Sequence, residues 1–165
     1  MPPVPNATAR RIRHASGYLG LGMAKEATAE LAMIPPADSA LPEVLNARIE
    51  LHMAMNEWDI VIRFGRELAK GHPDVDAGWI GWAYALRELN RIEEAKAVLL
   101  EAEPLHGKTC GVLHYNLACY YCLLGALPEA KKRLSLACKM DVEWKKAALN
   151  DLDLKAMWTE IAAMK

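Results

Sequence analysis

The feature that most constrains the fold is a spacing. Gly22, Asn56, Asn90 and Gly125 sit between apolar runs, in "LGLGMAKEA", "MAMNEWDIV", "RELNRIEEA" and "LLGALPEA", at intervals of 34, 34 and 35 residues. Glycine and asparagine best tolerate left-handed backbone. A helix that turns tightly into a second helix needs one such residue at its end. Five residues beyond each come Ala27, Val61, Ala95 and Ala130, small side chains suited to close helix approach. Four further on stand Leu31, Gly65, Leu99 and Leu134. One helical turn separates the two columns, so they share a face. Gly65 is the member with least to pack.

Elsewhere apolar residues recur at three and four rather than two, and helix-favouring Leu, Ala, Glu, Lys, Met and Arg dominate. The spacing predicts helix pairs over 8–41, 42–75, 76–110 and 111–142. Pro35, Pro36, Pro42, Pro73 and Pro104 fall near the ends of these units, where proline stops helices. Pro128 falls in the first turn of a helix, where it is tolerated. Residues 1–7, with their prolines, read as a flexible N-terminal arm. Residues 143–165 read as a short helix, a break at "DLD" with Asp153 as N-cap, and a last helix covering the open end of the stack.

Composition removes several classes. A chain of 165 residues is one domain's length and buries roughly 70% of its unfolded surface, so it needs no disulfide or metal staple. A formal net charge of -1 argues against nonspecific binding to nucleic acid. No apolar run approaches the ~20 residues of a membrane span. The start, "MPPVPNATARR", lacks the pattern of a signal peptide, so a cytoplasmic location is expected, with the cysteines at 110, 119, 122 and 138 as free thiols.

Two stretches, "DAGWIGWAYALRELNRIEEAKAVLLEA" (76–102) and "GVLHYNLACYYCLLGALPEAKKRLSLA" (111–137), carry a family resemblance. The chain resembles the tetratricopeptide repeat (TPR) proteins. Trp79 matches the family's early aromatic, Ala83, Ala95, Ala118 and Ala130 its small packing residues, and Tyr121 its mid-helix aromatic. The unit at 42–75 departs from the pattern with Arg48, Ile49 and His52, but keeps Trp58, Val61 and Pro73. The first unit keeps Ala15, Tyr18, Gly22, Ala27 and Leu31. The resemblance covers about residues 8–142. It implies an all-α, right-handed superhelical stack of about four helix-turn-helix repeats with a C-terminal cap.

The same resemblance implies a concave groove lined by the first helix of each pair, where the family binds peptides or partner proteins. Its candidate lining is Asn46, Glu50 and Met53, then Ile80, Tyr84, Arg87 and Glu88, then Tyr115, Asn116, Cys119 and Cys122. Tyr84 and Tyr115 are the expected aromatic anchors, Arg87 and Asn116 the polar contacts, and Met53, Cys119 and Cys122 adaptable apolar lining. The helix holding "YNLACYYCLLG" is apolar on two sides. Val112, Tyr115, Cys119 and Cys122 form the second side, which either receives a partner or is buried by the C-terminal helix or by a second copy of the chain.

Some stretches invite a chemical reading. Cys119 and Cys122 fall in mid-helix, where Cβ atoms three residues apart lie ~5–6 Å from each other. A disulfide needs ~3.5–4.5 Å, and a zinc knuckle needs a turn. "AEPLHGKT" (102–109) is a loosened phosphate-loop pattern, but it follows a helix, and Pro104 removes an N–H. His106, Cys110 and His114 stand four apart, interrupted by Gly107 and Gly111. Lys131, Lys132 and Arg133 read as a solvated face. Asn116 matches one position of the chaperone-tail clamp found in some TPR proteins, whereas Ile80 and Tyr84 stand where its lysine and asparagine belong. The expected function is therefore a non-catalytic scaffold with no cofactor and no metal, binding a protein or peptide, with homodimerisation open. The alternatives are a small secretion chaperone and, third, a metal- or nucleotide-dependent enzyme using residues 106–122.

Overall fold

The computed structural model describes residues 3–163. Residues 1 and 2 of the expected arm, and 164 and 165 of the expected cap, lie outside them. The described residues form ten α-helices and two short 3-10 helices, with no strand. They divide into two compact units, Met1–Ala85 and Leu86–Lys165.

The first unit holds α1 (Asn6–Gly20), α2 (Ala24–Ala32), a 3-10 turn (Pro36–Asp38), α3 (Pro42–Ala54), α4 (Trp58–Gly71) and α5 (Asp76–Glu88) as far as Ala85. The second holds the end of α5, α6 (Ile92–His106), α7 (Gly111–Leu123), α8 (Leu127–Met140), α9 (Glu143–Ala148), a 3-10 segment (Leu152–Met157) and α10 (Trp158–Ala163).

The four turn residues behave as their chemistry requires. Gly22, Asn56, Asn90 and Gly125 have φ of 73°, 56°, 58° and 77°, the positive values among the described residues. Each turn closes by the same pair of backbone hydrogen bonds. Gly22 N–H donates to Leu19 O and Met23 N–H to Tyr18 O, both at 2.9 Å. Equivalent pairs join Asn56 to Met53 and Glu57 to His52, Asn90 to Arg87 and Arg91 to Leu86, and Gly125 to Cys122 and Ala126 to Tyr121. This is the Schellman arrangement, which satisfies the last carbonyls of a helix.

The small column is fully buried: Ala27, Val61, Ala95 and Ala130 each have 0% exposure. Leu31, Leu99 and Leu134 are buried beside it. Gly65, weak as a packing residue, has a different role. A Cβ placed there would lie 2.8 Å from the backbone nitrogen of Trp82, so only glycine lets α4 and α5 approach this closely. In the first unit one cluster joins Ala15, Leu31, Val44 and Leu51, and another joins Leu45, Ile49, Val61, Phe64 and Leu68.

Several expectations need correction. The arm is shorter than residues 1–7, because α1 begins at Asn6 behind Pro5. Thr8, fully buried, donates to the Asp38 carboxylate and fixes this first turn. Pro42 opens α3 rather than ending a helix, since its fixed φ and missing N–H suit a first turn. Pro104 lies inside α6, which continues to His106. Burial of Ala102 and His106 holds that last turn in place, and Gly107 N–H resumes the ladder to Glu103 O at 2.8 Å. Tyr121 is only half-buried, and its neighbour Tyr120 fills the interior instead. The break at "DLD" is a 3-10 segment whose N-cap is Asp151, not Asp153: the Asp151 carboxylate accepts from Asp153 N–H at 2.9 Å.

Candidate interaction surface

In the first unit, Asn46 and Met53 come from α3, and Ile80 and Tyr84 from α5. The backbone of Gly81 lies against the Ile49 side chain, which sets α3 and α5 side by side. Asn46 is half-buried and donates to Glu50 at 2.8 Å, the i to i+4 geometry of a helix surface. Met53 and Ile80 are half-buried, and Met53 packs on the Leu45–Ile49 cluster. Tyr84 is 37% exposed, with its ring edge-on to Trp58 at 5.9 Å. That contact preorganises an aromatic side chain at the surface.

The second unit treats its candidates differently. Tyr115, Cys119 and Cys122 are buried, and Arg87 and Asn116 are half-buried. What covers the buried ones is the chain's own C-terminal segment. Tyr115 Oη donates to Asp151 Oδ2 at 2.8 Å, and its ring meets Trp144 at 4.7 Å. Cys119 Sγ lies 3.7 Å from the same Asp151 oxygen. Arg87 Nε donates to Asp153 Oδ2 at 2.7 Å, and Nη2 donates to Oδ1, a two-pronged guanidinium–carboxylate pair. Arg87 Nη1 also donates to Glu88 at 2.8 Å. In the same segment Leu154 and Met157 are buried, while Leu152 between the two aspartates is 74% exposed.

The electrostatics follow from this packing. Burial pushes the Tyr115 hydroxyl well above its usual range, and its bond to Asp151 adds to the shift. Burial likewise holds Cys119 as the neutral thiol, reinforced by the Asp151 and Asp153 carboxylates. Cys122 is raised by burial as well. Its hydrogen bond to Asp153 keeps Arg87 firmly protonated. The site therefore presents one fixed cation and two neutral donors to a pair of carboxylates.

The other sequence candidates separate. All four cysteines are free. His106 ends α6 and is buried. His114 is hydrogen-bonded through Nε2 to Gly107 O at 2.7 Å, and its Nδ1 lies 3.4 Å from Arg133 Nη1. Residues 102–106 are helical rather than an open loop. Among the described residues, the cluster with metal-donor spacing is Cys119, Asp151 and Asp153, whose ligand atoms lie within 4.8 Å of one another. Its donors already have protein partners: Asp153 is paired with Arg87, and Asp151 accepts from Tyr115 and Cys119.

Trp144, Asp151 and Asp153 were absent from the sequence-based site. The available signal was "DLD", two carboxylates flanking an apolar residue, which reads equally well as a helix cap.

Neither family models nor curated proteins match this sequence. Solved structures do. TTC0263, a thermophilic TPR protein of Thermus thermophilus, superposes with a TM-score of 0.72 at 18% identity, over 95% of this chain and 100% of that one. The fold is TPR-like. A MamA structure, MSR-1 C2, matches this TPR-like chain with a TM-score of 0.66 at 18% identity, over 82% of this chain and 78% of that one. A MamA mutant gives 0.63 at 19%, over 81% and 77%. The likeness is one of fold. No helix among the described residues is long and apolar enough to cross a membrane.

Proposed function

We propose that this TPR-like protein is a non-catalytic interaction scaffold that takes a peptide or partner protein on the first-helix surface of its N-terminal unit. The observation that carries the reading is Tyr84, an aromatic side chain held at the surface by the edge of Trp58. Exposed rigid aromatics are enriched among residues that dominate binding energy, because they bury a large area for little lost side-chain entropy. Asn46 and Met53 on α3 and Ile80 on α5 surround that anchor with a polar contact and adaptable apolar surface. The mechanism is burial of a partner segment, with no bond made or broken.

The test places a photo-crosslinking amino acid at position 80, with Tyr84 either kept or changed to alanine, and exposes both chains to a lysate of the source organism. One dominant adduct, absent from a control with the crosslinker at Arg66 and weakened at least tenfold by Tyr84→Ala, is expected. A helical Tyr84→Ala chain that captures the same partner equally well, or the absence of any adduct, would remove the assignment.

A further inference from the structure

We propose that the face formed by Arg87 and α7 in the second unit is a binding site for an acidic–apolar peptide, and that Asp151–Met157 is its resident occupant in cis. The peptide pattern is two aspartates two residues apart, the second followed at once by leucine and three residues later by another buried apolar side chain. This deepens the scaffold reading and rests on it, but it concerns a different surface and a named ligand chemistry.

Three observations carry the inference. The first is polar complementarity. Asp153 faces both prongs of Arg87, and Asp151 faces the Tyr115 hydroxyl and the Cys119 thiol. An end cap needs only apolar cover, yet this face presents a guanidinium, a phenol and a thiol, all aimed at two carboxylates. Such donors add little net stability after desolvation but reject sequences lacking the matching acceptors.

The second is the form of the segment. It is a 3-10 stretch between two helices of six residues each, all too short to persist alone in water. Trp158 Nε1 donates to Ala148 O and Asp151 O, both at 3.1 Å, so the segment also holds itself together by bonds that do not involve the face. It joins α8 through Asp141, in extended backbone, and Val142, which is 76% exposed. That junction is a single short tether.

The third is one-sided burial. Leu154 and Met157, three residues apart on one side of a 3-10 turn, are buried to 0% and 1%, whereas Leu152 stands 74% exposed between the two bound aspartates. Apolar anchors at helical spacing entering a surface while the other side chains face water is how a bound helical segment is read. Glu88 shares the Arg87 guanidinium, so carboxylates outnumber the cation and the occupant is held below the full strength of one pair.

The test uses the full chain and a fluorescein-labelled peptide of residues 150–163, NDLDLKAMWTEIAA, read by fluorescence anisotropy. A chain carrying Asp151→Asn with Asp153→Asn has a weakened resident segment. It should bind the peptide at least tenfold more tightly than wild type does, and adding Arg87→Ala should reverse that gain. A peptide with both aspartates changed to asparagine should bind neither chain. Equal binding with and without Arg87, or no binding to the folded double variant, would overturn the proposal. If the double variant does not fold, a protease site inserted between Asp141 and Val142 gives a nicked chain. Exchange of its C-terminal piece for labelled peptide supports the site, and unfolding on nicking overturns it by making the segment obligatory core. A wild-type dimer dissociated by the peptide would overturn the assignment in cis and give the place to a second copy. The peptide reads the second unit alone and the crosslinker reads the first, so a failure of one is told apart from a failure of the other.

Discussion

Arg87 and Asp153 stand 66 residues apart in sequence and hold each other through two hydrogen bonds, one from Nε at 2.7 Å and one from Nη2. Their side chains are 31% and 11% exposed, so the pair is neither solvated like a surface ion pair nor fully withdrawn from water. Removing the cation strands a mostly buried carboxylate, which costs more than the net worth of the pair. Arg87→Ala is therefore expected to lower stability by about 2 kcal/mol, and Arg87→Lys to recover only part, because an ammonium cannot reproduce the two-pronged geometry. Thermal melting measures the loss. Limited trypsin digestion locates it, with cleavage after Lys146 and Lys155 accelerating while the first unit stays intact.

Gly65 gives a second, independent expectation. Alanine is the better helix former by about 1 kcal/mol, so an exposed glycine at this place in α4 would gain from the change. Here the added methyl would lie 2.8 Å from Trp82 N, 2.9 Å from Trp82 Cβ and 3.0 Å from Gly78 O. Two of these atoms are backbone and cannot swing aside. Overpacking of this kind costs about 1–3 kcal/mol and outweighs the propensity gain. Urea denaturation should therefore show Gly65→Ala less stable than wild type; an unchanged or higher midpoint would mean that α4 and α5 do not touch at this point.

What could be read in the sequence, and what could not, follows from range. The left-handed turns at Gly22, Asn56, Asn90 and Gly125 depend on local backbone, and chemistry at single positions reveals them. The buried Ala27, Val61, Ala95 and Ala130 follow from the same register. Gly65 was readable as a position but not as a contact, because its reason lies in Trp82 of the next helix. The candidate residues of α7 were readable as an apolar face. Their cover was not, since "DLD" offers a local use as a helix cap and Asp151 alone takes that role. Only the tertiary pairing with Arg87 and Tyr115 separates the two aspartates. Pro104 misled because a local breaker was outvoted by burial on both sides of it.

Glu103 and Arg133 make acid stability measurable at one pair. Arg133 Nη2 donates to Glu103 Oε2 at 2.9 Å and Nη1 donates to Oε1, with side chains 33% and 15% exposed for the glutamate and the arginine. The hydrogen bond from Arg133 holds Glu103 below its ordinary value of 4.5. A carboxylate lowered in the folded state contributes fully above its unfolded value, and the contribution is lost as pH falls through the lower folded one. Glu103→Gln should be less stable than wild type at neutral pH. The gap should begin to close below about pH 4.5 and vanish at lower pH, where Glu103 is protonated in both states. Denaturant midpoints measured across that range check the expectation; a gap constant with pH would show that the pair contributes nothing through its charge.

The cysteines report on the covered face without any partner in hand. Cys119 lies under Asp151, and burial with the nearby carboxylates holds it as a thiol, whereas Cys138 is half-exposed. The thiolate is the nucleophile, so alkylation requires both access and deprotonation. A freely exposed thiol of pKa near 9 gains thiolate by roughly fiftyfold between pH 7 and pH 9, and its alkylation accelerates in proportion. Cys119 should show almost none of that gain in wild type, because its pKa stays above the range scanned. In the chain with both aspartates changed to asparagine the cover loosens, the carboxylate charge is removed, and water reaches the sulfur; in Arg87→Ala the carboxylates keep their charge, and access opens because the segment that carries them is no longer tied down. Alkylation of Cys119 at pH 9 should then rise at least tenfold, well beyond any change at Cys138, whose half-buried thiol is itself raised by burial. Iodoacetamide labelling with site assignment by mass spectrometry gives both rates in one experiment. If Cys119 labels as fast as Cys138 in wild type, the C-terminal segment does not rest on this face in solution. If neither variant changes its rate, Arg87 and the two aspartates are not what holds the segment there.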